Sequence, residues 1–211
     1  MQVPLSFFNQ DAQTLAKALL GKVLMVKHSD QWLQARIIET EAYYLEDKAS
    51  HASLGYTEKR KALFMAAGTI YMYHSRAGAS LNVSAKGDGN AVLIKSAVPY
   101  EEELEERARQ TMLSMMHALN PKKNGQQRPV ERLCSGQALL CRSLGLKISD
   151  WDAKQFDPHR FYIRDVNYAP QNIIVTTRLG IASDRDPHLL YRFIDSAFAA
   201  CCTKKPKSMA I

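Results

Sequence analysis

The chain is poor in cysteine: four among 211 residues, at 134, 141, 201 and 202. That number and spacing exclude a disulfide scaffold and contain no Cys-x-x-Cys pair, so a reducing compartment is expected and thiolate metal binding is not. Long apolar runs are absent too. None exceeds six residues, as in Ala197–Cys202, whereas a membrane-spanning helix needs about 20. The opening MQVPLSFFNQDAQ lacks the basic and apolar regions of a secretory signal, which points to an intracellular protein, in cytoplasm or nucleoid for a bacterium and in the nucleus for a eukaryote. Ten glycines and eight prolines are too few for collagen-like or broadly disordered chains. There is no P-loop, no GxGxxG and no HExxH, and the six histidines are scattered singly. Neither a metal nor a cofactor is expected.

What the chain has is charge of one sign in excess. Lys and Arg number 28 against 21 Asp and Glu, a formal +7. Such a balance admits DNA, RNA, anionic lipid or an acidic protein as partner without choosing among them. No repeat and no compositional break calls for a second domain, so residues 1–203 are expected to form one domain and 204–211 a loose basic tail.

Local patterns predict the elements. Asp11 caps a helix with Ala12, Leu15, Ala16 and Leu19 on one stripe, stopped at Gly21. KVLMVKH and QWLQARIIETEAYY read as strands joined at Ser29 and Asp30. A polar stretch from Leu45 to Arg60 breaks the pattern, and loops of that kind often carry function. TIYMY, SLNVSA and NAVLIKSAV read as further strands, with a Gly/Ser/Ala-rich passage after Tyr73 and a hairpin turn at Gly87-Asp88-Gly89. Tyr100 to Leu119 reads as a helix whose first turns hold five glutamates, suited to the positive end of its dipole. Ser135 is expected to cap a short helix ending at Gly145, RFYIRD and NIIVTTRLGI to be strands, and Asp186-Pro187 to open a final helix through Phe198. The sum is an α+β fold, a largely antiparallel, curved sheet with surrounding helices.

Spacing also nominates chemistry. Glu39, Glu41 and Tyr43 share one strand face by alternation, with His51 in the loop that follows. A carboxylate in a partly aromatic cleft is a candidate base, and the plainer alternative is that both glutamates line a solvated face. Tyr71 and Tyr73 share a face as well, as a stacking platform for a base or as core filling. Cys134 and Cys141, at i and i+7, read as buried helical packing.

Beyond these patterns, the chain resembles the alkyladenine (3-methyladenine) DNA glycosylases, monofunctional enzymes that remove alkylated and deaminated purines. The resemblance runs through Leu5-Ser6-Phe7-Phe8, RIIETEAY, Ala49-Ser50-His51, ALFMAAGTIYMY, LNVSAKGDGNAVLIKSAVP, LCSGQALLCRSLGL and TTRLGI, across most of residues 5–181. It implies a metal-free, cofactor-free, monomeric enzyme that binds double-stranded DNA and flips a damaged purine (3-methyladenine, 7-methylguanine, hypoxanthine, ethenoadenine) into a pocket. It implies Glu41 as the base that activates water, Glu39 as its structural neighbour, Tyr43 and Tyr73 as the rings that sandwich the base, and His51 at the purine edge. Asn82 then crowds the exocyclic amine of guanine, and the carbonyl of Ile181 helps hold the water.

Two departures from the family pattern stand out. Lys95 replaces an arginine that contacts phosphate and helps place the water, which keeps the charge but loses the bidentate fork. The segment between Tyr73 and Asn82 is slightly shorter and lacks the aromatic wedge, leaving His74, Arg76 or a neighbouring loop to substitute. Phosphate contacts are expected from Arg76, Lys86, Lys95 and the loop holding Lys122, Lys123 and Arg128, and strand nicking is not expected. Two rivals remain: a family member that binds damage with little or no catalysis, and a basic RNA-binding protein.

Overall fold

The computed structural model describes residues 1–203, so the basic tail expected at 204–211 lies outside the described residues. Asp11 caps helix α1 (Ala12–Leu19) by accepting from the backbone N–H groups of Gln13 and Thr14, as its position suggested. The apolar stripe Ala12, Leu15, Ala16 and Leu19 is fully buried. Strands β1 (Val23–His28) and β2 (Gln31–Tyr43) form the expected hairpin around Ser29 and Asp30, with Ser29 at φ 52°. Strands β3 (Ile70–Ser75), β4 (Gly78–Ser84) and β5 (Ala91–Pro99) follow. Past helices α2 (Glu106–Leu119), α3 (Gln137–Ser143) and α4 (Ile148–Trp151) come β6 (Phe161–Arg164), β7 (Ile173–Thr176) and β8 (Arg192–Asp195).

Six of the eight strands run in the order β3-β4-β5-β2-β1-β6, with β8 on β2 and β7 on β8 completing one sheet, and every described pairing is antiparallel, so the α+β expectation holds. The long β2 serves two partners on one edge. Its residues 31–36 pair with β1, and Glu39 to Glu41 pair with β8, which in turn pairs with β7. On its other edge, against β5, the register shifts between Ile37 and Glu39 and shifts back between Glu39 and Thr40. Ile38 is therefore an extra residue on β2 and Lys95 an extra residue on β5. Paired bulges of this kind bend strands and re-aim side chains.

Several expectations are corrected. The segment 186–198 is not a helix: Arg192–Asp195 is β8, followed by a 3-10 turn at Ser196–Cys201. The far half of β2 would otherwise present unpaired backbone groups at a buried edge, and pairing with Phe193 and Ile194, both 0% exposed, removes that cost. Helix α2 starts at Glu106, not Tyr100. The preceding glutamates meet arginines rather than a dipole: Glu102 pairs with Arg36 at 2.7 Å, Glu103 with Arg164 at 3.0 Å and Glu101 with Arg109 at 3.1 Å. Gly136, at φ 100°, occupies the N-cap of α3, while Ser135 Oγ is buried without a hydrogen-bond partner among the described residues. The Gly/Ser/Ala-rich passage is itself a tight hairpin, with Ser75 opposite Gly78 and only Arg76 and Ala77 between. Cys134 precedes α3 rather than sharing a helix with Cys141, but both are buried, and burial pushes both thiols up to about 12.

Candidate active site

Alternation along β2 carries Glu41 and Tyr43 to the same side, with Leu93 and Ala91 of β5 standing opposite them in register. Glu41 is 0% exposed, as is Glu39, so the reading of these residues as a solvated face is wrong. Burying a carboxylate is costly unless it is paired and hydrogen-bonded. Glu41 has three such partners. Tyr43 donates its hydroxyl to Oε2 at 2.8 Å, the Leu179 amide donates to Oε1 at 3.3 Å, and Lys95 Nζ lies 3.4 Å from Oε1.

Glu39 is occupied otherwise. It accepts from Arg192 Nε at 2.6 Å, from the Ser96 hydroxyl, and from the backbone N–H and hydroxyl of Thr203 at 3.3 Å. Its partners fasten β5, β8 and the end of the described chain to β2. It stays the structural neighbour of Glu41.

The three partners of Glu41 all line one cavity of about 240 Å³, whose wall also includes His51, Tyr71, Tyr73, Asn82, Gln137 and Ile181. Five residues expected at the base pocket or beside it (Tyr43, His51, Tyr73, Asn82 and Lys95) thus meet in one place, from strands β2 to β5 and the 3-10 turn His51–Leu54. Ser50 caps that turn by accepting from the Ala52 amide at 3.2 Å, which sets the direction of His51.

The aromatic wall is a cluster. His51 and Tyr73 have ring centroids 4.3 Å apart, and Tyr71 and Tyr73 stack at 5.4 Å with planes 28° apart. His51 Nδ1 and the Tyr71 hydroxyl are 2.9 Å apart. Burial, reinforced by the positive charges of Arg60 and Arg185, holds His51 below its ordinary 6.5, so its ring is neutral at neutral pH. Burial and then the Glu41 carboxylate raise Tyr43 well above its usual range, so its hydroxyl keeps the proton it donates.

One face of the Tyr43 ring is covered by the Arg178 guanidinium, 4.5 Å from the ring centroid. Arg178 is fixed by a two-pronged pair with Asp47, one arm at 2.9 Å, and by the Ala42 carbonyl at 3.1 Å. Burial pulls its pKa down, but Asp47 and the other acidic neighbours outweigh that and raise it. On β4, Asn82 faces Tyr71 across the ladder and donates its amide to the Tyr71 carbonyl at 3.1 Å.

The other expected contacts are dispersed. His74 is exposed and borders a groove with Thr57, Lys59 and Arg60 on the outer side of Tyr71 and Tyr73. Arg76 is exposed at the β3-β4 tip, and Lys86 lies in the turn at the other end of β4. Lys122, Lys123 and Arg128 fall between α2 and the 3-10 turn at Val130, and none of them lines the cavity. Ile181 does line it, although the backbone group bonded to Glu41 belongs to Leu179. Alternation had paired Tyr71 with Tyr73, whereas Gln137, Arg178 and Leu179 lay in motifs of the family resemblance without a role assigned to them and Asp47 in the polar stretch after Tyr43. Among the described residues no group of three or more His, Cys, Asp or Glu side chains is placed to hold a metal ion, and no helix is long and apolar enough to cross a membrane.

A cavity walled by aromatic rings, with a buried, hydrogen-bonded carboxylate behind them on an antiparallel sheet, has the make-up of an enzyme pocket, and similarity to known proteins gives its class as a DNA glycosylase. The family model for methylpurine-DNA glycosylase matches residues 6–197, and the chain belongs to that family. A protein of Pseudomonas syringae pv. tomato, provisionally named a 3-methyladenine DNA glycosylase, is 58% identical over 200 residues, covering 95% of this chain and 88% of its own. A Pseudomonas savastanoi pv. phaseolicola protein of the same name is 56% identical over 204 residues, covering 97% and 90%. The DNA-3-methyladenine glycosylase of Mus musculus is 33% identical over 188 residues, 83% of this chain and 53% of its own length.

Proposed function

We propose that the chain flips alkylated or deaminated purines out of duplex DNA and hydrolyses their N-glycosidic bond, leaving an abasic site. The observation that carries this reading is Glu41, fully buried yet held by Tyr43, Lys95 and the Leu179 amide, three residues that line an aromatic cavity. A carboxylate so placed takes the proton of an attacking water and stabilises the positive charge that grows on the sugar. Tyr43 and Tyr73 hold the flipped base between rings, His51 meets its edge, and Asn82 disfavours the guanine amine. A purine alkylated at N3 or N7 is cationic, so electron-rich rings attract it and it leaves readily.

Lys95 serves the sugar-phosphate side, and Ile181 closes the cavity at the water. His74, on the outer side of the tyrosine stack, fills the space vacated by the flipped base, and Arg76 at the hairpin tip enters a groove of the duplex. Lys86, Lys122, Lys123 and Arg128 contribute longer-range attraction to phosphate. The protein acts as a monomer, inside the cell, without metal or cofactor.

Base release from duplexes carrying 3- or 7-methylpurine, hypoxanthine or ethenoadenine tests the reading, with Glu41→Gln alongside. General-base loss predicts a fall of about 10²–10⁴-fold. Release that survives the substitution refutes Glu41 as base. Tight binding by wild type without any release establishes the damage-binding rival instead.

A further inference from the structure

We propose that Lys95 captures the aldehyde of the abasic product as a reversible imine, so that the pocket holds its product covalently after the base has gone. The inference rests on the cavity being the purine-nucleotide pocket described above, and concerns what happens after hydrolysis.

Placement is the first support. Lys95 Nζ is 3.4 Å from Oε1 of Glu41, the carboxylate directed at the sugar carbon from which the base departs. An amine that close to the water's base is within reach of the same carbon. The bulge is the second. Ser96 stands opposite Glu39 and Ile94 opposite Thr40, which leaves Lys95 as the extra residue on β5, and its side chain is turned into the cavity wall. Among the described residues it is the one lysine that lines the cavity, and it is only 9% exposed.

Chemistry is the third. A guanidinium does not deprotonate in proteins, but a lysine ammonium does, and neutral lysine amines form Schiff bases with carbonyl substrates. Hydrolysis leaves a sugar whose ring opens to an aldehyde at C1′. Once Glu41 has released to solvent the proton it took from the attacking water, it accepts one from the Lys95 ammonium, and the freed nitrogen lone pair forms the N–C1′ bond as the carbonyl electrons move to oxygen. A proton passes from nitrogen to that oxygen, giving a neutral carbinolamine. Its hydroxyl then leaves as water with the proton returned by Glu41, and the protonated imine remains. Addition of water reverses each step and frees the product.

The test uses the full chain with a duplex that already contains one abasic site, treated with sodium borohydride, which delivers hydride to the imine carbon and fixes the adduct. A denaturing gel reads the adduct and peptide mass spectrometry locates it. The expected result is a covalent complex at Lys95 that is lost in Lys95→Arg and kept in Lys122→Ala, whose lysine lies outside the cavity wall. No adduct with wild type, or an adduct located at another lysine or at the N-terminus, overturns the proposal, and the mapping on wild type decides even if the variant does not fold. Because the abasic site is supplied ready-made, a failure to release bases and a failure to trap the amine are separate results.

Discussion

The Tyr43 hydroxyl donates to Oε2 of Glu41 at 2.8 Å from two residues further along the same strand. The bond is intrinsic to the pleat, since alternation puts both side chains on one face, and it fixes one oxygen of the carboxylate while Leu179 and Lys95 address the other. Tyr43→Phe keeps the ring and its contact with Arg178 but removes the donor. A hydrogen bond to a charged group is worth about 1.5–3 kcal/mol, so single-turnover base release should slow by about 10- to 100-fold. Affinity for a damaged duplex, measured by anisotropy, should change little, and a purely affinity-based loss would contradict this role.

Asp47 and Arg178 form a buried pair, with side chains 2% and 1% exposed. Asp47→Ala leaves the Arg178 charge buried without its carboxylate, and removing one member of such a pair costs about 3–5 kcal/mol. Urea unfolding should show the loss as a lower midpoint with an unchanged slope. Because Arg178 lies over the Tyr43 ring, base release should fall along with stability. Asp47→Leu combined with Arg178→Met should recover much of the stability without the activity.

The parts of this architecture legible in sequence were those governed by neighbours in the chain. Asp11 before an apolar stripe, Ser29-Asp30 between two apolar runs and Gly145 at a helix end each carry their cause within a few residues. The misread segments are governed from afar. The apolar residues of 186–198 suit a helix or a strand equally, and the unpaired edge of β2, more than 150 residues upstream, decides for a strand. The glutamates at 101–103 look like a helix start until Arg36 and Arg164 draw them away. The same division holds at the site. Glu41, Tyr43, His51, Tyr73, Asn82 and Lys95 sit in ordered motifs, and so do Arg178 and Leu179 in TTRLGI, but Leu179 meets Glu41 across 138 residues and Arg178 meets Asp47 across 131. No local pattern announces either contact.

His51 gives the fold a pH dependence whose sign follows from its environment. Its folded pKa lies below 6.5 because burial, then Arg60 and Arg185, disfavour the imidazolium. As pH falls below 6.5 the unfolded chain takes up a proton that the folded chain resists, so this contribution to stability is present above 6.5 and is lost as pH falls toward the folded pKa. Thermal unfolding between pH 5 and pH 7.5 should therefore show wild type losing more stability on acidification than His51→Gln, which has nothing to titrate. Parallel curves for the two proteins would show that His51 is not held neutral.

The excess of basic residues makes a final prediction about where binding charge resides. If +7 served solubility alone, affinity for duplex DNA would be nearly flat in salt. If basic side chains displace counterions from phosphates, log affinity falls linearly with log salt, with a slope of about −0.9 per phosphate contact. The fold separates the candidates: Arg76 projects from the β3-β4 tip and Lys86 from the far end of β4, while Lys122 and Lys123 lie in a loop outside the cavity wall. Arg76→Ala should reduce the steepness of the salt dependence by about one contact and weaken binding equally for damaged and undamaged duplexes, since a phosphate contact carries no lesion information. On the proposed reading, in which they attract the duplex from a distance, Lys122→Ala and Lys123→Ala should leave the slope nearly unchanged, and a drop of about one contact for either would place its loop on a phosphate. Filter binding from 50 to 300 mM salt, on one duplex with and without a lesion, reads the slopes directly. A steep wild-type slope that Arg76→Ala does not change would move the phosphate contact away from the hairpin tip, to the Lys59 and Arg60 side of the tyrosine stack.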